Sequence, residues 1–254
     1  MPELPEVEAR RLTIEHACAN SVLLSIDIDK KGIVKHDEPG IRRRMIGETL
    51  LRVDRRGKYL ILGFPDKIQV TLHFGLFGDM AVAGAEKTFP SVCARFVFDN
   101  RHAVFLLKWA GIWFGKGVES LEKLGPDPIA EPDKFALGYL ESALSKKKTK
   151  IKQFLMDQSI IAGIGAVYAD EILFHAHILP GRSSNSMNGD ESKSLYKSIR
   201  KTLQSAIEKT VARGDESRPF LSLEGRQNCP VCGTEIVNTK LAGRRTLYCP
   251  SCQH

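Results

Sequence analysis

No apolar run in this chain of 254 residues reaches the ~18 needed to cross a bilayer, so a membrane span is excluded. The charged amino-terminal segment lacks the apolar stretch of a signal peptide, which points to the cytosol. That compartment excludes a disulfide framework, so the six cysteines read as reduced thiols or metal ligands. No internal repeat and no long low-complexity tract is present, which leaves no array architecture to consider.

What is present is an ordinary globular composition, 43% hydrophobic and 26% charged, long enough for two or three modest domains. The formal charge is +7 and unevenly placed. From Asp133 onward there are 18 Lys and Arg against 12 Asp and Glu; residues 1–132 hold 19 against 18. A basic second half suggests a polyanionic partner, nucleic acid before membrane.

The hydrophobic period predicts a helix over 3–17, with Leu4, Val7, Leu12 and Ile14 along its apolar side. From Val22 to about Phe114 short β-rich runs follow: "VLLSIDI", "TLLRVDRRGKYLILGF", "KIQVTLHF", "ARFVFDN" and "HAVFLLKWAGIWF". Their spacing predicts an antiparallel sandwich. The proline-rich "LGPDPIAEP", 124–132, reads as a linker at a domain boundary. Beyond it helices are expected near 133–144, 150–158, 165–176 and 190–213, and "SSNSMNGD", 183–190, as a surface loop. "GIGA", 163–166, lies between two of these helices. It reads either as a tight turn offering free N–H groups to an anion or as an ordinary helical connection.

Cys229-Pro-Val-Cys232 and Cys249-Pro-Ser-Cys252 are separated by 16 residues. Two such knuckles can place four thiolates tetrahedrally around one Zn²⁺, with "TEIVNTK" and "RRTLYC" as strands of a hairpin turning at "LAGR". A segment this short cannot bury a core and is held by its metal instead. Four thiolates leave no open coordination position, so the zinc is structural. Arg244 and Arg245 at the hairpin tip read as groove-entering cations or as a solvated basic turn. Cys18 and Cys93, alone among apolar residues, read as buried, inert thiols.

The amino terminus, "MPELPEVEARR", sets Pro5, Glu6 and Glu8 where a helix begins and where its dipole favours acids. Pro2 is not explained that way. Removal of Met1 would leave Pro2 with a free secondary amine. An α-amino group titrates near ~8 and a lysine near ~10.4, so only the former is appreciably nucleophilic at neutral pH. A secondary amine attacking an aldehyde-level carbon gives a permanently cationic iminium, an electron sink able to drive elimination.

Four motifs then occur in order: Pro2-Glu3-Leu4-Pro5-Glu6-Val7-Glu8, Arg56-Gly57-Lys58-Tyr59-Leu60, "IAGIGAVYADEILF" at 161–174, and the four-cysteine finger. Together they resemble the formamidopyrimidine-DNA glycosylases, bifunctional base-excision repair enzymes that include the endonuclease VIII group. "PELP" rather than "PEGP" is more similar to the formamidopyrimidine branch. The resemblance implies an α+β multidomain fold: an N-terminal helix plus antiparallel β-sandwich (1–125), a linker (126–132), a helix–two-turn–helix module (133–222) and a zinc-ribbon hairpin (223–254). It further implies a monomer acting on double-stranded damaged DNA in a cleft between domains, in the cytoplasm with the nucleoid, with one structural zinc and no membrane.

By that resemblance Pro2 is the nucleophile at C1′, Glu3 the acid/base that opens the sugar ring, and Glu6 secures the amino-terminal segment. Lys58 corresponds to the lysine that contacts the damaged nucleotide, its alternative being a phosphate-binding or solvated lysine. Lys152, Gly163, Gly165, Arg244 and His73 are DNA contacts, while Leu76 and Phe114 fill the void left by an extruded nucleotide. Extrusion needs such a wedge and a basic channel. The implied activity is base removal followed by β,δ-elimination at the abasic site. An alternative reading keeps the scaffold as a catalytically weak or inactive protein that binds lesions or abasic sites.

The departures from the family pattern concern recognition. Leu76 stands where the wedge is usually methionine. In "AGIWFGKG", 110–117, Ile112 replaces the arginine that reads the opposite base, and Trp113 reads as a second stacking group or as core. Ala166 replaces the asparagine after "GIG", and the stretch 212–229 is shorter than the segment that closes over 8-oxoguanine.

Overall fold

Pro5 lies in the first turn of helix α1 (Leu4–Cys18), where its missing N–H is no loss. Val7, Ile14 and Cys18 bury one side of this helix in the core of a first unit, whereas Leu4 belongs to the core of a second. The computed structural model describes residues 1–30, 32–108, 111–115, 119–213 and 221–254. Two compact units result: Met1–Pro2 with Glu6–Lys123, and Glu3–Pro5 with Leu124–His254.

The first unit stacks two sheets. One runs in the order β1 (Leu23–Ile28), β7 (Val92–Phe98), β8 (His102–Leu107), β6 (Asp79–Gly84). The other is ordered β2 (Val34–Asp37), β9 (Gly111–Gly115), β5 (Gln69–His73), β4 (Tyr59–Gly63), β3 (Arg52–Arg56). Short helices α2 (Ile41–Met45) and α3 (Glu119–Glu122) accompany them. Alternation sends Leu60, Leu62, Val70, Leu72, Ile112 and Phe114 inward against Phe96, Val104 and Leu106. Each such side chain contributes roughly 1.5–3 kcal/mol by leaving water.

The sandwich agrees with the expectation, with three differences. The run "HAVFLLKWAGIWF" is divided between β8 and β9, which belong to different sheets, and Lys108 in left-handed backbone (φ 62°) turns the chain out of β8. β2 and β6 were not anticipated, since β2 has only half-buried and exposed residues and β6 buries a single side chain, Met80. Finally, β2 pairs with β9 in parallel, a partnership across most of the unit that no local pattern encodes. Glu8 ties α1 to this sheet by accepting Arg55 Nε at 2.7 Å, besides Arg11 Nε at 2.8 Å.

In the second unit, helices α4 (Leu137–Lys146), α5 (Ile151–Met156), α6 (Ala166–Ala176) and α7 (Gly189–Arg213) share one core around Phe135, Phe154, Tyr168, Leu173 and Ile199. The proline-rich stretch before them is fixed: buried Asp127 accepts the amides of Ile129 and Ala130, and Gly125 donates to Gln158 O. Strands β10 (Val237–Leu241) and β11 (Arg244–Tyr248) form the terminal hairpin. Its small cluster of Cys229, Ile236, Leu247 and Cys249 packs with Phe174 of α6 and Leu223.

Candidate functional site

The "GIGA" turn opens α6, as expected, but its amides are not free. Gly165 N–H donates to Glu3 Oε2 at 2.6 Å, Val167 N–H to Oε1 at 3.2 Å and Tyr168 N–H to Oε2 at 3.4 Å. The anion at this helix terminus is thus the chain's own carboxylate. Gly163, at φ 100°, donates to Gln158 Oε1 and accepts Leu4 N–H at 3.1 Å. A Cβ at Gly163 would stand 2.6 Å from Leu4 Cδ1, and one at Gly165 would overlap the Glu3 carboxyl carbon. The expectation that Gly163 and Gly165 hold phosphates is corrected accordingly: both glycines admit the amino-terminal segment.

Lys152 is likewise not an open phosphate contact. It is buried on α5, with Nζ 2.7 Å from Asp170 Oδ1 and donating to Arg245 O and Thr246 Oγ1. Asp170 Oδ2 accepts Leu247 N–H at 3.0 Å. Burial pushes the Asp170 carboxyl up to about 6 and the Lys152 ammonium below its usual value, each countered by the other's charge. The pair therefore binds β11 to α5 and α6. Arg244 and Arg245 are exposed at the hairpin, where either sequence reading of them can operate.

Cys229, Cys232, Cys249 and Cys252 bring their sulfurs within 4.8 Å of one another. The Cys229–Cys252 and Cys232–Cys249 separations are 3.8 and 3.5 Å. A tetrahedron with ~2.3 Å Zn–S bonds has sulfurs about 3.8 Å apart, so the donors fit that ion. Gly233, at φ 76°, makes the tight turn after the first knuckle. Gln253 holds the second by accepting Cys249 N–H and donating to Ile178 O. Cys18 and Cys93 are buried, and burial pushes the Cys18 thiol up to about 12, in keeping with an inert role.

In the first unit Pro2 is half-buried, and Glu6 is buried in the first turn of α1. Lys58 follows Gly57 (φ 57°) in the β3–β4 turn and is buried, which removes the solvated reading. His73 Nδ1 accepts Gly75 N–H at 3.2 Å, which leaves the ring proton on Nε2. Burial and then the Lys58 charge hold its pKa below the ordinary value.

Beyond His73, Gly75 (φ 55°) and the Gly78 N–H to Phe74 O bond close a turn that leaves Leu76 62% and Phe77 71% exposed. Leu76 is thus an exposed apolar side chain at the tip of this turn, and Phe77 beside it, absent from the sequence expectations, is exposed with it. Phe114 is corrected: it is fully buried, with its ring 6.3 Å from Phe96 and Arg42 over its face. Ile112 points into the same core, whereas Trp113 between them is half-buried on the other face. Ala110, Lys116 and Gly117 of that motif, and 214–220 of the shortened segment, lie outside the described residues.

Comparison with known proteins gives the same assignment over the whole chain. Residues 1–107 match the formamidopyrimidine-DNA glycosylase N-terminal domain, 124–215 its H2TH domain, and 227–254 the zinc finger found in FPG and IleRS. The finger and its four convergent sulfurs give the chain one structural zinc. The formamidopyrimidine-DNA glycosylase of Carboxydothermus hydrogenoformans is 32% identical over 277 residues, covering all of both chains. Two solved structures of the Lactococcus lactis Fpg resemble the fold, each with 99% of both chains covered. Its complex with DNA containing an abasic site gives a TM-score of 0.89 at 27% identity. Its complex with DNA containing an oxidised pyrimidine gives 0.89 at 28%. Matched along its full length in sequence and in fold, this chain belongs to the formamidopyrimidine-DNA glycosylase family.

Proposed function

We propose that this protein is a monomeric base-excision repair glycosylase of the cytoplasm that binds damaged double-stranded DNA, removes an oxidised or ring-opened base and then cuts the strand. The observation that carries the reading is the anchoring of Glu3, the residue after Pro2, by three amides of the α6 N-terminus. That anchor fixes the backbone next to the nucleophile and keeps a negative charge where a cation forms.

The chemistry follows from a secondary amine. With Met1 removed, the Pro2 nitrogen lone pair attacks C1′ of the extruded nucleotide, and the glycosidic electron pair leaves with the base, which takes up a proton. The amine passes its proton to Glu3, which delivers it to O4′ as the C1′–O4′ bond breaks and the sugar ring opens, and a C1′ iminium results. Its charge acidifies C2′; loss of that proton expels the 3′-phosphate. Loss of the C4′ proton then expels the 5′-phosphate. The Glu3 carboxylate is the anion beside the iminium and a base in these transfers. Lys58, His73 and Arg244 contact the nucleotide and the phosphate backbone, Leu76 enters the vacated stack, and Glu6 secures the first turn of α1. No cofactor takes part, since the zinc is structural.

Borohydride trapping on a duplex with an abasic site tests the reading. A covalent adduct that peptide mapping places on Pro2, with phosphate at both ends of the gap, is the expected result. An adduct on Lys58 refutes the nucleophile. Tight binding to lesion DNA without any cut supports the binding-protein alternative instead.

A further inference from the structure

The outer face of the five-stranded sheet carries a row of rings, of which the reaction above uses only His73. Register places Arg56 of β3 opposite Tyr59 of β4, Tyr59 opposite His73 of β5, and His73 opposite Gly111 of β9. Trp113, two residues on, lies on the same face and folds its indole back over Gly111: a Cβ there would meet the ring at 2.8 Å. The Trp113 and Tyr59 rings meet edge to face at 6.1 Å, and Tyr59 and His73 lie 4.8 Å apart. Ile112 and Phe114, its neighbours, point into the core, so β9 offers the outer face one large side chain. The row ends at the turn that projects Leu76 and Phe77, and the stem of Lys35 borders Gly111 on its other side.

A flat, half-buried ring held edge-on by a second aromatic, among cations and beside an exposed apolar tip, is the arrangement that receives an unstacked base. An apolar core role for Trp113 would place it with Ile112 on the inner face, and it is not there. We propose that Trp113 is a stacking platform for the base left unpaired opposite the lesion, so that recognition of that base is by its face and not by its edge. This rests on the reading of the protein as a lesion-binding glycosylase. Every base has a π-face, so the platform accepts all four, in contrast to an arginine that reads a base edge. Tyr59 and Gly111 are positioning residues in this account.

The test is tryptophan fluorescence in a Trp109→Phe background, which leaves Trp113 as the sole indole. The protein is titrated with duplexes carrying a tetrahydrofuran abasic analogue opposite A, C, G or T. Saturable quenching of similar depth with all four is expected. Trp113→Leu should weaken binding to all four by about 5- to 150-fold, the range of one lost base stack, and Trp113→Phe should recover most of it. Binding measured by anisotropy without any quenching, or unchanged affinity in Trp113→Leu, overturns the platform and leaves the glycosylase reading standing. A strong preference for one opposite base overturns the tolerance it predicts. If the parent protein binds no lesion duplex, the functional reading itself fails. Should Trp113→Leu misfold by circular dichroism, quenching in the Trp109→Phe protein decides.

Discussion

The carboxylate of Glu3 closes the N-terminus of α6, accepting the Gly165 amide at 2.6 Å from 162 residues away in the chain. A site that sequence suggests for a phosphate is thereby filled from within, and the residue beside Pro2 acquires a fixed place.

Gly165→Ala should therefore act on chemistry more than on stability. Gly165 has ordinary backbone (φ −119°), so alanine is strained only by its overlap with the Glu3 carboxyl. Displacing Glu3 by about 1 Å should slow single-turnover cleavage of an abasic duplex roughly 10²-fold. Zinc content should be unchanged. Wild-type cleavage in this variant would show that the Glu3 position is not needed.

The Lys152–Asp170 pair should reveal itself when one partner is lost. Asp170→Asn leaves a buried ammonium and should cost about 3–5 kcal/mol in urea unfolding, while Lys152→Met with Asp170→Leu should restore much of it. The pH dependence has a definite sign. Burial raises the folded carboxyl to about 6, above its ordinary value of 3.8, so the folded state binds the extra proton. Stability should fall as pH rises between those values, and Asp170→Asn should lack that limb.

His73 should give the opposite slope. Its folded pKa is lowered from 6.5, so the unfolded chain binds the extra proton. The contribution is complete above 6.5 and is lost as pH falls through the folded value. Melting temperatures from pH 5 to 8 should drop more steeply at the acid end for wild type than for His73→Phe. Parallel curves would remove His73 from the account.

Metal analysis should return one zinc per chain, and Cys249→Ser or chelation should unfold the hairpin and weaken DNA binding while the β-sandwich persists. Arg244→Ala should lower affinity for any duplex and reduce the salt slope by about 1. An unchanged slope would make the hairpin tip merely solvated.

Discrimination of the opposite base should be weak, and 8-oxoguanine a poorer substrate than ring-opened purines. Ile112→Arg should not supply the missing reader, because the side chain at 112 enters the core. An unpaired guanidinium there should cost about 3–5 kcal/mol instead. Fast 8-oxoguanine removal with a strong cytosine preference, measured at single turnover, would show that other residues read the pair.

What the sequence by itself determined is whatever a local pattern encodes. The Cys-x-x-Cys spacing is enough to specify the zinc hairpin, because two short knuckles can close around one ion with little help from elsewhere. Helix α6 and the outline of β1, β4 and β5 follow from hydrophobic period, whereas the reading of Pro2 as nucleophile joins its amine chemistry to the family resemblance. The tertiary structure decided which groups meet. Lys152 looks like a free cation until Asp170, 18 positions on, and β11 enclose it. The glycines of "GIGA" look like an anion site until Glu3 arrives from the other end of the chain. In β9, alternation puts Ile112 and Phe114 on one face and Trp113 on the other, but only the packing of two sheets says which face is core. The physical reason is common to all three. A charge or a ring takes its role from what removes its water, and those neighbours are set by contacts across the fold that adjacent residues do not carry.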